Sequence, residues 1–204
     1  IKKLKDLGVI EVGSSLETIN EKVFREAKPG DSLQARMEFA KTIKDVGLGL
    51  NSVMMVGIGS SYQDYVDHIF WLREVGVDHF CITGLNPVPD TPFESCRPAF
   101  SYEVARVIAI SRFVLRKADI SIGGIMNDPQ LLPLAIMAGA NRAIHLGAHV
   151  HRPRKWSPRW KCIESRRFNN LEFINHLPLT VKIVRDMGMH AEDYIEKVLE
   201  GASK

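Results

Sequence analysis

Short apolar runs alternate with longer stretches of helical period along residues 9–148. The run VIEVGSS at 9–15 is β-branched and ends in small residues, which predicts a strand. Residues 31–47 follow with Leu33, Met37, Ala40 and Ile43 at helical spacing. The same alternation recurs. NSVMMVGI at 51–58 predicts a strand closed by glycine, and YQDYVDHIFWLREVG after it places Tyr65, Ile69 and Leu72 on one helix face. DHFCITGL at 78–85 opens a further unit, which leads through the proline-rich loop NPVPDTPF into a helix over 101–117. ISIGGI at 120–125 and RAIHLGA at 142–148 predict two more strands, flanking the helix PQLLPLAIMAG.

Strands that alternate with helices in this way require a parallel sheet with helical crossovers, and near-continuous apolar strands require cover on both faces. The expected fold is therefore α/β, either an open sheet or, preferred here, the C-terminal half of a (β/α)8 TIM-type barrel with about five βα units. Beyond His149 the text becomes HVHRPRKWSPRWKCIESRRFNN, which is basic, aromatic and without period. The expected division is a partial barrel over 1–150, then a basic loop and C-terminal helices over 151–204. LEFINHLPLTVKIVRDMG and HAEDYIEKVLEG read as those helices, interrupted by Pro178 and Gly188.

Composition narrows the class only a little. A chain of 204 residues with 45% apolar and 25% charged content can bury an ordinary core. No run of about 18 apolar residues is present and the N-terminus is the charged IKKLKD, so a cytoplasmic protein that spans no membrane is expected. The net charge of +3 is too small to imply nucleic-acid binding, even with Trp156 and Trp160 among the basic residues of 152–167. That segment reads as solvated chain with aromatics on a barrel rim. Cys81, Cys96 and Cys162 have neither disulfide nor metal-site spacing and read as free thiols. The start at Ile1, close before the first strand, suggests a piece of a longer gene product. A partial barrel would leave open strand edges, so self-association of the chain is also expected.

Working residues of parallel barrels come from the C-terminal ends of the strands. Here these are Ser14, Ser15 and Glu17; Gly57, Gly59 and Ser60; Thr83, Gly84 and Asn86; Gly123 and Asn127; and His145. The glycines either allow close approach of a ligand or simply make tight turns. A hydroxyl beside a carboxylate, as at Ser15 and Glu17, suits the vicinal hydroxyls of a ribose. GIGSS lacks the lysine of a Walker A loop, and no expected strand ends in the lysine that Schiff-base chemistry would use. His145 is either a hydrogen-bonded core residue or a proton donor.

In order and spacing, GSSLET, GDSLQARMEFAKTIKDVGL, MMVGIGSSYQDYVDHIFWLREVGVD and NPVPDTPF together resemble biotin synthase-like radical S-adenosylmethionine (SAM) proteins, colinearly from Leu4 to about His149. The resemblance implies SAM at the barrel mouth, a [4Fe-4S] cluster and reductive cleavage of SAM to a 5'-deoxyadenosyl radical that acts on a small-molecule substrate. It also implies that Ser15 and Glu17 contact the ribose or amino-acid end of SAM and that Arg36 pairs with its carboxylate. Met55, Val56 and Gly57 would line the adenine, with Leu85 and Asn86 closing over it. Two departures stand out. Ser60 replaces the glutamate that usually ends the glycine motif, and no cysteine triplet is present for a cluster. The chain by itself is thus expected to be inactive. Asn51 stands where biotin synthase has a strand cysteine for a second cluster, which argues against sulfur insertion. The loop NPVPDTPF and the helix after it look closer to the hydrogenase-maturation and methylornithine synthase branches, and most narrowly to the maturases of the [Fe]-hydrogenase cofactor. A non-enzymatic alternative is an assembly module that binds an acidic partner through 152–167.

Overall fold

The computed structural model describes residues 1–88, 90–123, 131–143, 148–151, 164–168, 171–175 and 177–189. After a short helix α1 (Lys2–Asp6), strands β1 (Glu11–Gly13), β2 (Gly49–Val56), β3 (His79–Gly84), β4 (Asp119–Ile122) and β5 (Arg142–Ala143) form one parallel sheet in sequential order. Helices α2 (Glu21–Ala27), α3 (Leu33–Asp45), α4 (Tyr62–Val75), α5 (Ser101–Val114) and α6 (Leu131–Met137) fill the crossovers. Sequential parallel order with helical crossovers is the arrangement of a barrel sector, as the alternation predicts.

Local chemistry explains the helix boundaries. Asn20, Ser32 and Ser61 each accept a backbone N–H of the first turn that they precede, and Asp64 returns the favour to Ser61 in a capping box. Gly76 ends α4 in the left-handed conformation at φ 76°, which a side chain would resist. The Asn20 cap starts α2, a helix that the hydrophobic period does not announce because only Val23 and Phe24 of its residues are buried.

One face of the sheet carries the core. Leu50, Met54 and Val56 of β2, Phe80 and Ile82 of β3, and Ile120 and Ile122 of β4 pack against Ala40, Ile43, Tyr65, Ile69, Leu72, Val104, Val107 and Ile108 of the helices. Successive strand residues point to opposite faces, so Asn51, Val53, Met55, His79, Cys81, Thr83 and Ser121 occupy the other face. A smaller cluster of Leu16, Phe24 and Leu33, with Met37 and Trp71 against it, seats α2 and α3 beside the end of β1.

The C-terminal part departs from expectation. Leu171–Asn175 is a strand, β8, rather than the start of a helix, and it pairs antiparallel with β7 (Glu164–Phe168) and β6 (Ala148–His151) in a second sheet of order β6-β8-β7. Phe168 pairs with Leu171, and pairing on both sides of β8 outweighs the weak helical period of LEFIN. The helix begins only at α7 (Leu177–Asp186), where the Asn175 side chain accepts from Leu177 N at 3.1 Å. Pro178 does not interrupt that helix; it lies in the first turn, where its missing N–H costs nothing. Ile183 of α7 packs against the main core. The second sheet begins at Ala148, just on the barrel side of the expected boundary, and most of the basic segment 152–167, the stretch HAEDYIEKVLEG, Asn127 and His145 lie outside the described residues. No helix among the described residues is long and apolar enough to cross a membrane.

Candidate functional site at the strand ends

The polypeptide leaving β1 does not turn away at once. It stays against β2 through Ser14 N to Asn51 O (2.8 Å), Glu17 N to Val53 O (2.9 Å) and Met55 N to Glu17 O (2.9 Å). Glu17 is thereby pinned on both sides in the left-handed region, at φ 64°. A non-glycine residue held there is strained by about 1–3 kcal/mol, a cost that surrounding structure must support. Its carboxylate is equally constrained. Oε1 lies 3.2 Å from Lys28 Nζ, while Oε2 is buried and has no hydrogen-bond partner. Lys28 also donates to Ser15 O at 2.9 Å, so one ammonium clamps both residues of the expected hydroxyl–carboxylate pair.

The loop after β2 closes on this corner. Ser60 Oγ lies 2.7 Å from Thr18 Oγ1, and Asn20 Nδ2 donates to Asp64 Oδ1 at 3.2 Å, tying the end of β1 to the N-terminus of α4. Ser60, the departure from the glutamate of the family pattern, thus braces the same loop with a shorter side chain. Burial dominates the forces on the Asp64 carboxyl and opposes ionisation, yet bonds from Ser61 and Asn20 hold it below the ordinary carboxylate range.

The structure sorts the other expected contacts. Met55 is on the sheet face turned away from the helices, the backbone of Glu17 is bonded alongside it at the end of β2, and the Ser15 carbonyl is tied to the same corner by Lys28. Val56 does not join them. It is fully buried on the helix face, and what it offers the mouth edge is its carbonyl, already taken by Leu85 N at 2.8 Å. Gly57, at φ 86°, donates its N–H to the Tyr65 hydroxyl (2.8 Å), and a Cβ there would lie 3.1 Å from Ala99 Cβ. Its glycine is demanded by the turn and by the 84–99 loop, the turn-making alternative. Leu85 is buried beneath that loop, and Asn86 is half-buried at its start. Arg36 is engaged: its Nε and Nη2 lie 2.8 and 2.6 Å from Asp31 Oδ2. That guanidinium holds the Asp31 carboxyl below its usual range, with the Ser32 N–H as the next cause.

Sequence reasoning missed Lys28 and a row of polar residues deeper in the sheet. Glu11, Asn51, His79 and Ser121 come from adjacent strands and touch in series. The signal was available as polar residues at every second position of H-F-C-I-T and D-I-S-I, with Asn51 in the neighbouring apolar run. Cys81 adjoins this row. Burial pushes its thiol up to about 11, against a hydrogen bond from Ser121 that pulls it down, so it is a protonated thiol at neutral pH. Among the described residues no group of His, Cys, Asp and Glu is arranged to hold a metal ion. A cavity of about 320 Å³ lined by Leu72, Arg73, Val77 and Lys117 lies beside the N-terminal ends of β3 and β4, away from the mouth.

Comparison with known proteins bears on the fold and the relatives of the chain. Residues 81–169 match the Biotin and Thiamin Synthesis associated domain. An uncharacterized protein of Methanocaldococcus jannaschii is 30% identical over 190 residues, covering 93% of this chain and 48% of its own length. The biotin synthase of a Hydrogenobaculum species is 32% identical over 122 residues, covering 60% of this chain and 37% of its own. In fold, the crystal structure of methylornithine synthase superposes with a TM-score of 0.70 at 18% identity, over 97% of this chain and 57% of that one. The chain spans less than half the length of these sequence relatives. The chain is accordingly similar in sequence to biotin synthases over part of its length and shares its fold with methylornithine synthase.

Proposed function

We propose that the full-length protein is a radical SAM enzyme that cleaves SAM reductively to 5'-deoxyadenosine, and that this chain supplies much of the SAM-binding rim. The observation that carries the reading is Glu17, strained at φ 64° with Oε2 buried and unpartnered. A buried acceptor without a donor costs about 1–3 kcal/mol, which a ribose hydroxyl or an ammonium of the ligand would recover. Lys28 pairs with the other oxygen of the same carboxylate and with the Ser15 carbonyl, which fixes this corner in place. Met55 offers an apolar surface for the adenine, with Leu85 and Asn86 at the start of the covering loop. Val56, buried on the helix face with its carbonyl bonded to Leu85 N, takes no part. Arg36 can take the SAM carboxylate by exchanging it for that of Asp31, one bidentate-capable partner for another.

A [4Fe-4S] cluster, when bound, supplies the electron for the cleavage. The thiols among the described residues do not suit it, since Cys81 is buried and protonated and Cys96 is exposed and distant in sequence, and the chain holds no cysteine triplet. The ligands therefore belong to the rest of the protein. At a finer level we assign the protein to cofactor biosynthesis or hydrogenase maturation acting on a small molecule, supported by the resemblance of NPVPDTPF and the helix after it. Cluster-reconstituted full-length protein is expected to release 5'-deoxyadenosine, read by chromatography, and its absence from protein with a verified cluster refutes the proposal. Glu17→Gln should retain the fold and weaken SAM binding about tenfold by calorimetry.

A further inference from the structure

Inner layers of a parallel barrel are ordinarily filled by branched aliphatic side chains. Here four neighbouring strands place Glu11, Asn51, His79 and Ser121 in one row on the face away from the helices. Asn51 Nδ2 lies 2.9 Å from Glu11 Oε1 and 3.0 Å from His79 Nδ1, and His79 Nε2 lies 2.7 Å from Ser121 Oγ. A carboxylate accepts only, so Asn51 must turn its nitrogen to Glu11 and its carbonyl oxygen away. In either imidazole tautomer His79 bridges the carboxylate end of the row to the hydroxyl end. His79 and Ser121 are buried, whereas Glu11 is 33% exposed along its side chain.

The charge on this row is distinctive. Glu17, Asp31, Asp78 and Asp119 are each paired with a lysine or arginine. Among the described residues the contacts of Glu11 are the Asn51 amide and the His79 ring, with no lysine or arginine. The row thus offers the barrel interior an ionisable carboxylate and an amide oxygen, both acceptors. That combination suits a ligand with several N–H donors and positive charge, and opposes a carboxylate or phosphate.

We propose that Glu11 and Asn51, braced by His79 and Ser121, form a subsite for a cationic amine group of the small-molecule substrate. This substrate class rests on the barrel-enzyme reading given above. The test is calorimetric titration of full-length protein with cadaverine, using pentanediol and glutarate as neutral and anionic counterparts of similar length. Saturable cadaverine binding is expected, weakened about tenfold in Glu11→Gln and unchanged in Glu38→Gln, which alters an exposed carboxylate of α3. Glu11→Gln keeps the side-chain shape and an acceptor for Asn51, and circular dichroism verifies its fold. Absence of saturable binding, equal binding of pentanediol, or indifference to Glu11→Gln overturns the subsite. SAM titrated into the same samples separates the two readings: SAM binding without amine binding refutes the subsite alone, and loss of SAM binding to wild-type protein refutes the enzyme.

Discussion

His68 sets up a sharp test of how the core is held. It is fully buried on α4 between Trp71 and Phe80, with ring centroids 6.2 and 5.9 Å away, and neither of its nitrogens has a hydrogen-bond partner. Burial drives its basicity down from 6.5 to about 3. The sign follows from the proton count. Below pH 6.5 the unfolded chain binds a proton at this residue that the folded chain refuses, so stability falls with pH until about pH 3. Each unit in that window costs about 1.4 kcal/mol, hence about 2 kcal/mol by pH 5. His68→Leu removes the proton site and the two unpartnered nitrogens together. The variant should be more stable than wild type by about 1–3 kcal/mol at pH 7.5, and the advantage should widen by about 2 kcal/mol at pH 5. Urea unfolding of both proteins at several pH values measures this, and the difference between them cancels the depressed carboxyls of Asp31 and Asp64, which are common to both. Parallel pH dependences would show that the imidazole is partnered or charged in the folded chain, and the reasoning would fail.

Further outcomes are expected. Gly57→Ala forces a side chain into φ 86° and 3.1 Å from Ala99, so thermal unfolding should report a loss of about 1–3 kcal/mol; an unchanged midpoint would mean that the loop simply moves aside. In full-length protein, Arg36→Ala should weaken SAM binding about tenfold, whereas Asp31→Asn, which releases Arg36, should tighten it; equal affinities in the two variants would make the pair a loop tether only. Among the described residues β1 pairs only with β2, leaving a strand edge open, so the chain should gain mass with concentration in light scattering. A constant monomer mass would contradict that proposal.

The barrel sector was readable because its strands and helices differ in period and its core is one-sided. Leu50, Met54 and Val56, with Ser52 between the first two, fill every second position of β2, while Tyr65, Ile69 and Leu72 recur at helical spacing in α4. The failures occur where tertiary pairing decides. LEFIN carries a pattern compatible with either state over five residues, and only the partners on β7 and β6 make it a strand. The short helix α2 depends on the Asn20 cap and two buried side chains, too little periodicity to be seen in advance.

The site was legible where backbone geometry alone nominates residues, and obscure where a side chain's partner decides its role. Ser15 and Glu17 were nominated by the rule that strand ends face the mouth and Met55 and Val56 by the resemblance, and neither source takes account of parity. Val56 neighbours Met55 in sequence and therefore points to the opposite face, into the helices, which a period-two reading of β2 would have disclosed. Nothing local announces that Lys28, eleven residues beyond Glu17, returns across α2 to its carboxylate, or that Asp31 holds Arg36. Those pairings are set by the α2–α3 turn, whose position depends on Phe24 and Leu33 closing over Leu16. The apolar cluster thus fixes which charges meet, and with them which oxygen of the Glu17 carboxylate is left without a hydrogen-bond partner.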